Sequence, residues 1–335
     1  MSFCARQIYE HLQDEESKKI FLHRMNYSVT GDDSHLRKMV QMCPESRQFY
    51  SIPKQKAYIF GAGTYGGKTK RFFDMEWMGF IDNNNQKWGG YCDGLPILPL
   101  ADVPGDALIF LANKYHHAEI RQQLREAGFA DTQIVNLGET IEAMARDQYF
   151  DLNAMPHAED ESFADVGALN GDTARLFLRW AGDGRVDHVY CFEPDLKNVE
   201  RCRKNLSDLG QAGKLTMISR GAWSEAATLS FAAKANGMSA IGEGDATIET
   251  TTLDEVFADR RITFIKMDIE GAEYEALRGS EKTIRTQRPK LAISIYHKPE
   301  DIVELPRLLL EFQPDYHLYL RHYCIFDNET VLYAI

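Results

Sequence analysis

The chain has 335 residues, a length that suits two domains, and its 44% hydrophobic content is ordinary for a globular protein. A net charge of −12 argues against a general nucleic-acid binder, which needs clustered Lys and Arg; the six cysteines include no Cys-x-x-Cys pair, which excludes the usual zinc and disulfide frameworks. Arg6, Glu10, Asp14, Glu15 and Glu16 break up the first apolar residues and no window approaches the ~18 apolar residues of a membrane helix, so the expectation is a cytoplasmic protein with no membrane span.

Residues 1–50 read as a helical segment, with Ile8, Leu12, Phe21, Leu22 and Met25 at helical intervals and Pro44 ending it. Residues 51–140 read as a small Rossmann-like β-α-β domain. Its predicted strands are 57–60, 77–81, 107–111 and 134–135, with a helix over 115–127. Residues 141–161 are polar, contain Pro156, and read as a linker. Residues 162–335 read as the second domain. Strands are predicted at 162–166, 188–192, 215–219, 262–269, 290–295, 316–320 and 330–335. Helices are predicted through Trp180 and over 196–209 and 303–312. Strands alternating with helices predict an α/β fold with a largely parallel sheet covered on both faces. The stretch 232–246, with Gly237, Gly242 and Gly244, has the composition of a mobile lid.

Three motifs in the second domain carry chemistry. The first is Phe163 to Ala174, where a strand ends in Asp165 and is followed by Gly167 and Gly171. Glycines at a strand end let backbone approach a ligand closely. Gly-Lys-Ser/Thr and Gly-x-Gly-x-x-Gly are both absent there, so Asp-x-Gly-x-x-x-Gly suits a cofactor with an amino-acid group and no phosphate. The second is Glu193, ending the next strand, where a carboxylate can accept from two ribose hydroxyls. The third is Phe264 to Gly279. There Lys266, Asp268 and Glu270 alternate with apolar residues and are expected on one strand face, serving a site or, for Lys266 and Glu270, forming an ion pair.

Together with TTLDEVF and RPKLAISIYHKPED, these segments resemble the FkbM family of methyltransferases over residues 163 to about 323. The resemblance implies a class I methyltransferase fold, S-adenosylmethionine as cofactor, and O-methylation of sugars or polyketide-type products. It implies that Asp165, Gly167, Ala168, Asn170, Gly171 and Thr173 line the methionine part and that Glu193 holds the ribose. Gly221, Ala222 and Trp223 are then expected near the adenine, and Asp268 near the transferred methyl group. An alcohol needs a base before it attacks a methyl carbon. His297 is the first candidate, with Asp268 and Glu270 competing and Lys266 in the same group; a divalent metal held by Asp268, Glu270 and His297 is a further option.

A rival motif lies in the first domain. Gly61, Gly63 and Gly66 form Gly-x-Gly-x-x-Gly after a strand, and Asp82 ends the next strand about 20 residues on, which is the dinucleotide fingerprint. The unit is short and lacks a second mononucleotide half. It resembles the small Rossmann-like domain ahead of sugar-nucleotide acyltransferases, which implies a sugar-nucleotide ligand. The readings to separate are therefore an O-methyltransferase acting on a saccharide, sugar-nucleotide or natural-product hydroxyl, an NAD-dependent sugar-modifying oxidoreductase, and a non-catalytic binding protein of a glycan pathway. The expected partners are a small-molecule or glycan acceptor and no nucleic acid, with self-association into a homo-oligomer left open.

Overall fold

The computed structural model describes residues 3–182, 184–232, 240–241 and 246–335. It divides into two compact units. The first comprises Met1–Val29, Tyr149–Arg321 and Glu329–Ile335, and the second Thr30–Gln148 and His322–Asn328. The division differs from the expected 1–50, 51–140, 141–161 and 162–335 because the ends of the chain are shared out by packing rather than by sequence order.

The first unit is built on a seven-stranded sheet in the order Leu318–His322, Thr330–Ala334, Lys290–Ser294, Phe264–Met267, Glu161–Val166, Val186–Phe192, Leu215–Ile218. The last five run parallel to one another, while Thr330–Ala334 runs antiparallel to Lys290–Ser294. Every residue of Glu161–Val166, Phe264–Met267 and Lys290–Ser294 is buried, as expected of parallel strands covered on both faces. Helix Asp172–Ala181 follows the first motif, and its Phe177 stacks on Phe163 at 4.3 Å. The helix expected over 196–209 is broken at Leu206 into Leu196–Asn205 and Ser207–Gln211.

Helices Phe3–His11 and Glu15–Thr30, expected within a separate N-terminal segment, belong largely to this sheet. Leu12 bridges to Leu318, Leu320 N donates to Ser17 Oγ at 2.8 Å, and Arg24 donates to Thr330 Oγ1 at 3.0 Å. The expected linker is also not a solvated tether. Leu137–Met144 is a helix, and Tyr149, Phe150, Leu152 and Met155 are buried. Phe150 packs on Phe163, Phe177, Trp180 and Phe264, because four apolar side chains among the polar ones suffice to anchor the segment.

Strand Phe264–Met267 is shorter than predicted. Glu270 and Gly271 both take left-handed backbone, φ +56° and +94°, and the chain turns there. Only Lys266 of the three charged residues is therefore on the strand; Asp268 and Glu270 lie in the turn. A smaller sheet joins Gly221–Ala222, Ala246–Thr251, Thr228–Ala232 and Ala240–Ile241. Gly237, Gly242 and Gly244 of the expected lid lie outside the described residues.

The second unit has a six-stranded sheet in the order Tyr91–Cys92, Leu95–Leu98, Glu76–Ile81, Lys56–Phe60, Leu108–Leu111, Ile134–Asn136. One face is filled by Phe60, Ile81, Ile109, Leu111, Ile120 and Leu124. Among the described residues, no helix is long and apolar enough to cross a membrane.

Candidate active site

The strand ends of the first unit bring the three motifs together. Asp165 is wholly buried beside Lys266, whose ammonium lies 3.0 Å from Oδ1. That contact is one of charge, because Lys266 directs its hydrogen bonds to the Gly167 and Val166 carbonyls at 2.8 and 3.4 Å. Burial pushes the Asp165 carboxyl up, with Lys266 opposing. Burial would lower the Lys266 ammonium, but the Asp165 and Asp268 charges prevail and raise it. Lys266, expected among the catalytic residues, is thus tied beneath the glycine turn.

That turn cannot be built without Gly167. Its φ is +85°, and a Cβ there would lie 2.0 Å from the Asp268 carbonyl oxygen. Gly167 N and Ala168 N both donate to Phe192 O at 3.0 Å, which draws the turn toward the end of the second strand. Asn170 Oδ1 accepts from Asp172 N, and Asn205 Nδ2 holds the Asn170 carbonyl at 3.0 Å. Gly171, at φ +86°, then starts helix Asp172–Ala181, with Thr173 in its first turn.

Glu193 is buried, and each of its oxygens takes one backbone N–H. Leu169 N donates to Oε2 and Asp195 N to Oε1, both at 2.9 Å. Burial raises its pKa against those donors. A carboxylate has about four lone-pair sites, so each oxygen retains capacity for one hydroxyl. Leu169, to which sequence reasoning gave no role, is therefore the link between the glycine turn and the ribose candidate. On the far side, Glu193 N donates to Ile218 O, and Gly221–Ala222 pairs with Thr250–Thr251. Trp223 N donates to Thr251 O at 3.0 Å.

The acid–base cluster follows strand Phe264–Met267. Asp268 Oδ2 accepts from the Tyr149 hydroxyl at 3.0 Å, and Oδ1 accepts from Tyr296 at 3.4 Å. Burial alone would raise Asp268, but Lys266, His297 and the Tyr149 hydroxyl lower it below the usual carboxylate range. His297 has three carboxylates around it. Its Nδ1 lies 2.9 Å from Glu273, and its Nε2 lies 3.5 Å from Asp268 and 3.8 Å from Glu270. Neither ring nitrogen makes an aligned hydrogen bond, so these are charge contacts. Burial would lower the imidazole, yet Glu273, Asp268 and Glu270 outweigh it and bring it up to about 9. Glu270 goes the other way from its kind: burial, with Asp268, Glu273 and Glu329 adding to it, lifts its carboxyl to about 7 against His297.

Tyr149 and Glu273 are the residues sequence reasoning missed. Tyr149 was assigned to a linker, and its partner is far away in sequence. Glu273 Oε1 accepts from Ile269 N at 2.8 Å, closing the turn that carries Glu270. Its position in GAEYEALRG gave a helical residue and no role. Asp268, Glu273 and His297 bring ligand atoms within 4.8 Å of one another, so among the described residues Glu273 replaces the expected Glu270 in the metal-capable set.

An open sheet with an antiparallel strand near its edge, a glycine turn after the first central strand and an acidic residue ending the next make up the class I methyltransferase fold. Residues 165–321, just under half of the chain, match the family described as Methyltransferase FkbM domain. No curated protein matches the sequence. In structure the chain is similar to methyltransferase FkbM from Methylobacillus flagellatus KT, at TM-score 0.56 and 20% identity, covering 94% of this chain and 98% of that one. It is also similar to a SAM-dependent methyltransferase from Aquifex aeolicus, at TM-score 0.33 and 15% identity, over 58% of this chain and 96% of that one. An rRNA methylase from Streptococcus thermophilus matches at TM-score 0.32 and 15% identity, over 59% and 93%. S-adenosylmethionine is the cofactor of this family.

Proposed function

We propose that the protein transfers a methyl group to a hydroxyl of a saccharide, sugar-nucleotide or related natural product, with Glu270 as the general base. The observation that carries this reading is the partly exposed Glu270 carboxyl in the left-handed turn beside Asp268, 3.8 Å from His297, where burial raises it to about 7. A base with affinity near the working pH is both available and strong enough to take a hydroxyl proton. His297, the first candidate from sequence, holds its own proton at neutral pH and supplies a fixed positive charge instead. Asp268, pinned by the two tyrosines, stays ionised and orients the acceptor hydroxyl.

The residues present fit the cofactor. Glu193 is buried with free acceptor capacity, and the Gly167 turn brings backbone rather than side chains to the strand ends. Gly167, Ala168, Asn170, Gly171 and Thr173 would hold the amino-acid part, Glu193 the ribose, and Gly221, Ala222 and Trp223 the base; Asp165, expected among the cofactor contacts, is wholly buried against Lys266 and would support the turn from beneath. When bound, S-adenosylmethionine supplies a methyl group on a positively charged sulfur. The chain's own part is to hold the acceptor oxygen in line and to receive its proton at Glu270.

The test is release of S-adenosylhomocysteine on incubation with S-adenosylmethionine and a panel of saccharides, sugar-nucleotides and hydroxylated natural products, alongside simple amines and carboxylates. Turnover confined to amine or carboxylate acceptors would reject the reading. A second reading adds a divalent ion at Asp268, Glu273 and His297. It is favoured by their convergence and by Glu273 Oε2 and both His297 nitrogens lacking hydrogen bonds. An oxygen-rich set of this kind suits Mg²⁺ or Mn²⁺ and would acidify the hydroxyl. Loss of turnover in EDTA, restored by Mg²⁺ or Mn²⁺, would favour it.

A further inference from the structure

The second unit has a cleft of about 340 Å³ at the carboxyl ends of its strands. Strand Lys56–Phe60 lies between Glu76–Ile81 on one side and Leu108–Leu111 on the other. The chain winds outward to Leu95–Leu98 first and then crosses to Leu108–Leu111, so the gap beside Gly61 is the topological switch point of this sheet. Open parallel sheets bind ligands at that place. The cleft is lined there by Gly61, Asp82, Asn83, Asn113, Glu119 and Gln123, within the size range of small-molecule sites.

We infer that this cleft binds a neutral, hydroxyl-rich ligand of the monosaccharide or disaccharide class, and not the dinucleotide that the glycine fingerprint suggests. A Cβ on Gly66 would lie 1.9 Å from the Gly61 carbonyl oxygen, so this glycine serves helix packing whatever the ligand, and the lining of the cleft decides its class. Asp82, the expected ribose acceptor, takes three donors where Glu193 takes two, and one of them is a cation. Its Oδ2 accepts from Ala62 N at 3.1 Å and from Lys87 Nζ at 2.8 Å, and its Oδ1 accepts from Asn84 N at 2.9 Å. Lys87 also bonds the Ala62 carbonyl at 3.1 Å, so its charge is spent on fixing the loop.

Nothing comparable awaits a phosphate. No Lys or Arg is among the residues lining the cleft; Lys87 offsets the charge of Asp82, which leaves the Glu119 carboxylate facing the cleft together with His116. Asn113 Oδ1 accepts from the Tyr115 and His116 N–H groups, which occupies amide donors just before helix His117–Glu126. A pyrophosphate would have to enter beside Glu119 with no Lys or Arg in the lining to meet it. Sugar hydroxyls need the opposite: paired amide and carboxylate groups that both donate and accept. Asn83 and Gln123 supply them, and now bond each other reciprocally at 2.9 and 3.0 Å. Each can exchange that bond for a ligand hydroxyl at little net cost.

The experiment is saturation-transfer NMR on the full chain with three sets of probes: neutral mono- and disaccharides, NAD, and UDP-glucose. We expect saturable transfer to a neutral sugar, weakened at least tenfold by Gln123→Leu and by Glu119→Leu, with S-adenosylhomocysteine affinity unchanged in both. Glu119→Leu on an exposed helix surface guards against a Gln123 variant that merely misfolds. Tighter binding of NAD or UDP-glucose than of every neutral sugar would overturn the inference. So would no saturable sugar signal at millimolar concentration, or sugar binding that both variants retain. S-adenosylhomocysteine binding and methyl transfer are read separately, so failure here leaves the reading of the first unit standing.

Discussion

Glu270→Gln should abolish catalysis and stabilise the fold. The carboxyl is lifted from its ordinary 4.5 to about 7, a penalty on the ionised form of about 3 kcal/mol at most. With 33% of the side chain exposed, water screens the charges, and roughly 1–2 kcal/mol is the expectation. The sign follows from which form the fold prefers. A folded-state pKa above the unfolded value means that stability is full below 4.5 and is lost as pH rises through about 7. Glutamine is isosteric, keeps the same left-handed turn at φ +56°, and never ionises, so backbone strain cancels in the comparison. Urea unfolding of both proteins at pH 4.5 and pH 8 is the assay. The variant should match the wild type at pH 4.5 and exceed it by roughly 1–2 kcal/mol at pH 8, while releasing no S-adenosylhomocysteine with an acceptor. A variant less stable than wild type at pH 8 would show that Glu270 is an ion-pair partner of His297 in the first place, and would remove it as the base.

The wild-type rate should rise with pH through about 7 as Glu270 loses its proton and fall again near 9 as His297 loses its own; a flat profile from pH 6 to 8 would contradict this. Tyr149→Phe removes the 3.0 Å donor to Asp268 and should lower kcat with S-adenosylhomocysteine affinity unchanged, at a stability cost of about 1 kcal/mol; isothermal titration and steady-state kinetics separate the two effects. Glu193→Gln should weaken S-adenosylhomocysteine roughly tenfold or more by removing a charged acceptor, and equal affinity by titration would take Glu193 out of the cofactor site. Gly167→Ala forces a Cβ to 2.0 Å from Asp268 O at φ +85°, and should cost roughly 2–4 kcal/mol or prevent folding, read as thermal midpoint and soluble yield.

Much of the catalytic unit was legible because its signals are local. An apolar run ending in Asp165 and a glycine pair specify a strand, a turn and a helix within one stretch of chain. The spacing to Glu193 follows from one βαβ crossover. What could not be read is contact across distance. Tyr149 reaches Asp268 over more than a hundred positions, and its surroundings in sequence, GETIEAMARDQYFDLNAMP, are mostly polar. Alternation placed Asp268 and Glu270 on one strand face with Lys266, but the left-handed pair Glu270–Gly271 ends the strand first, and only backbone angles reveal it. Which of His297 and Glu270 keeps the proton depended on how many carboxylates surround the imidazole. Residue types alone named all of them and ranked none. At Gly61 the motif fixes the turn, while Lys87 bears on what Asp82 is free to do, and residue types alone do not show that pairing.

The division of the chain between the units bears on how the protein can be taken apart. The backbone passes from one unit to the other after Val29, Gln148, Arg321 and Asn328, so neither is a single uninterrupted stretch. A fragment beginning at residue 162 would carry every family motif, yet lack Phe150 from the aromatic core, Tyr149 from the acid–base cluster and the two helices that brace Leu318–His322. Excising residues 30–148 would in turn leave His322–Asn328 without the unit to which it belongs. Protease-resistant fragments should therefore appear as nicked, non-covalently held sets of peptides, and interchange of parts with related enzymes would succeed only when all four crossing points are moved together.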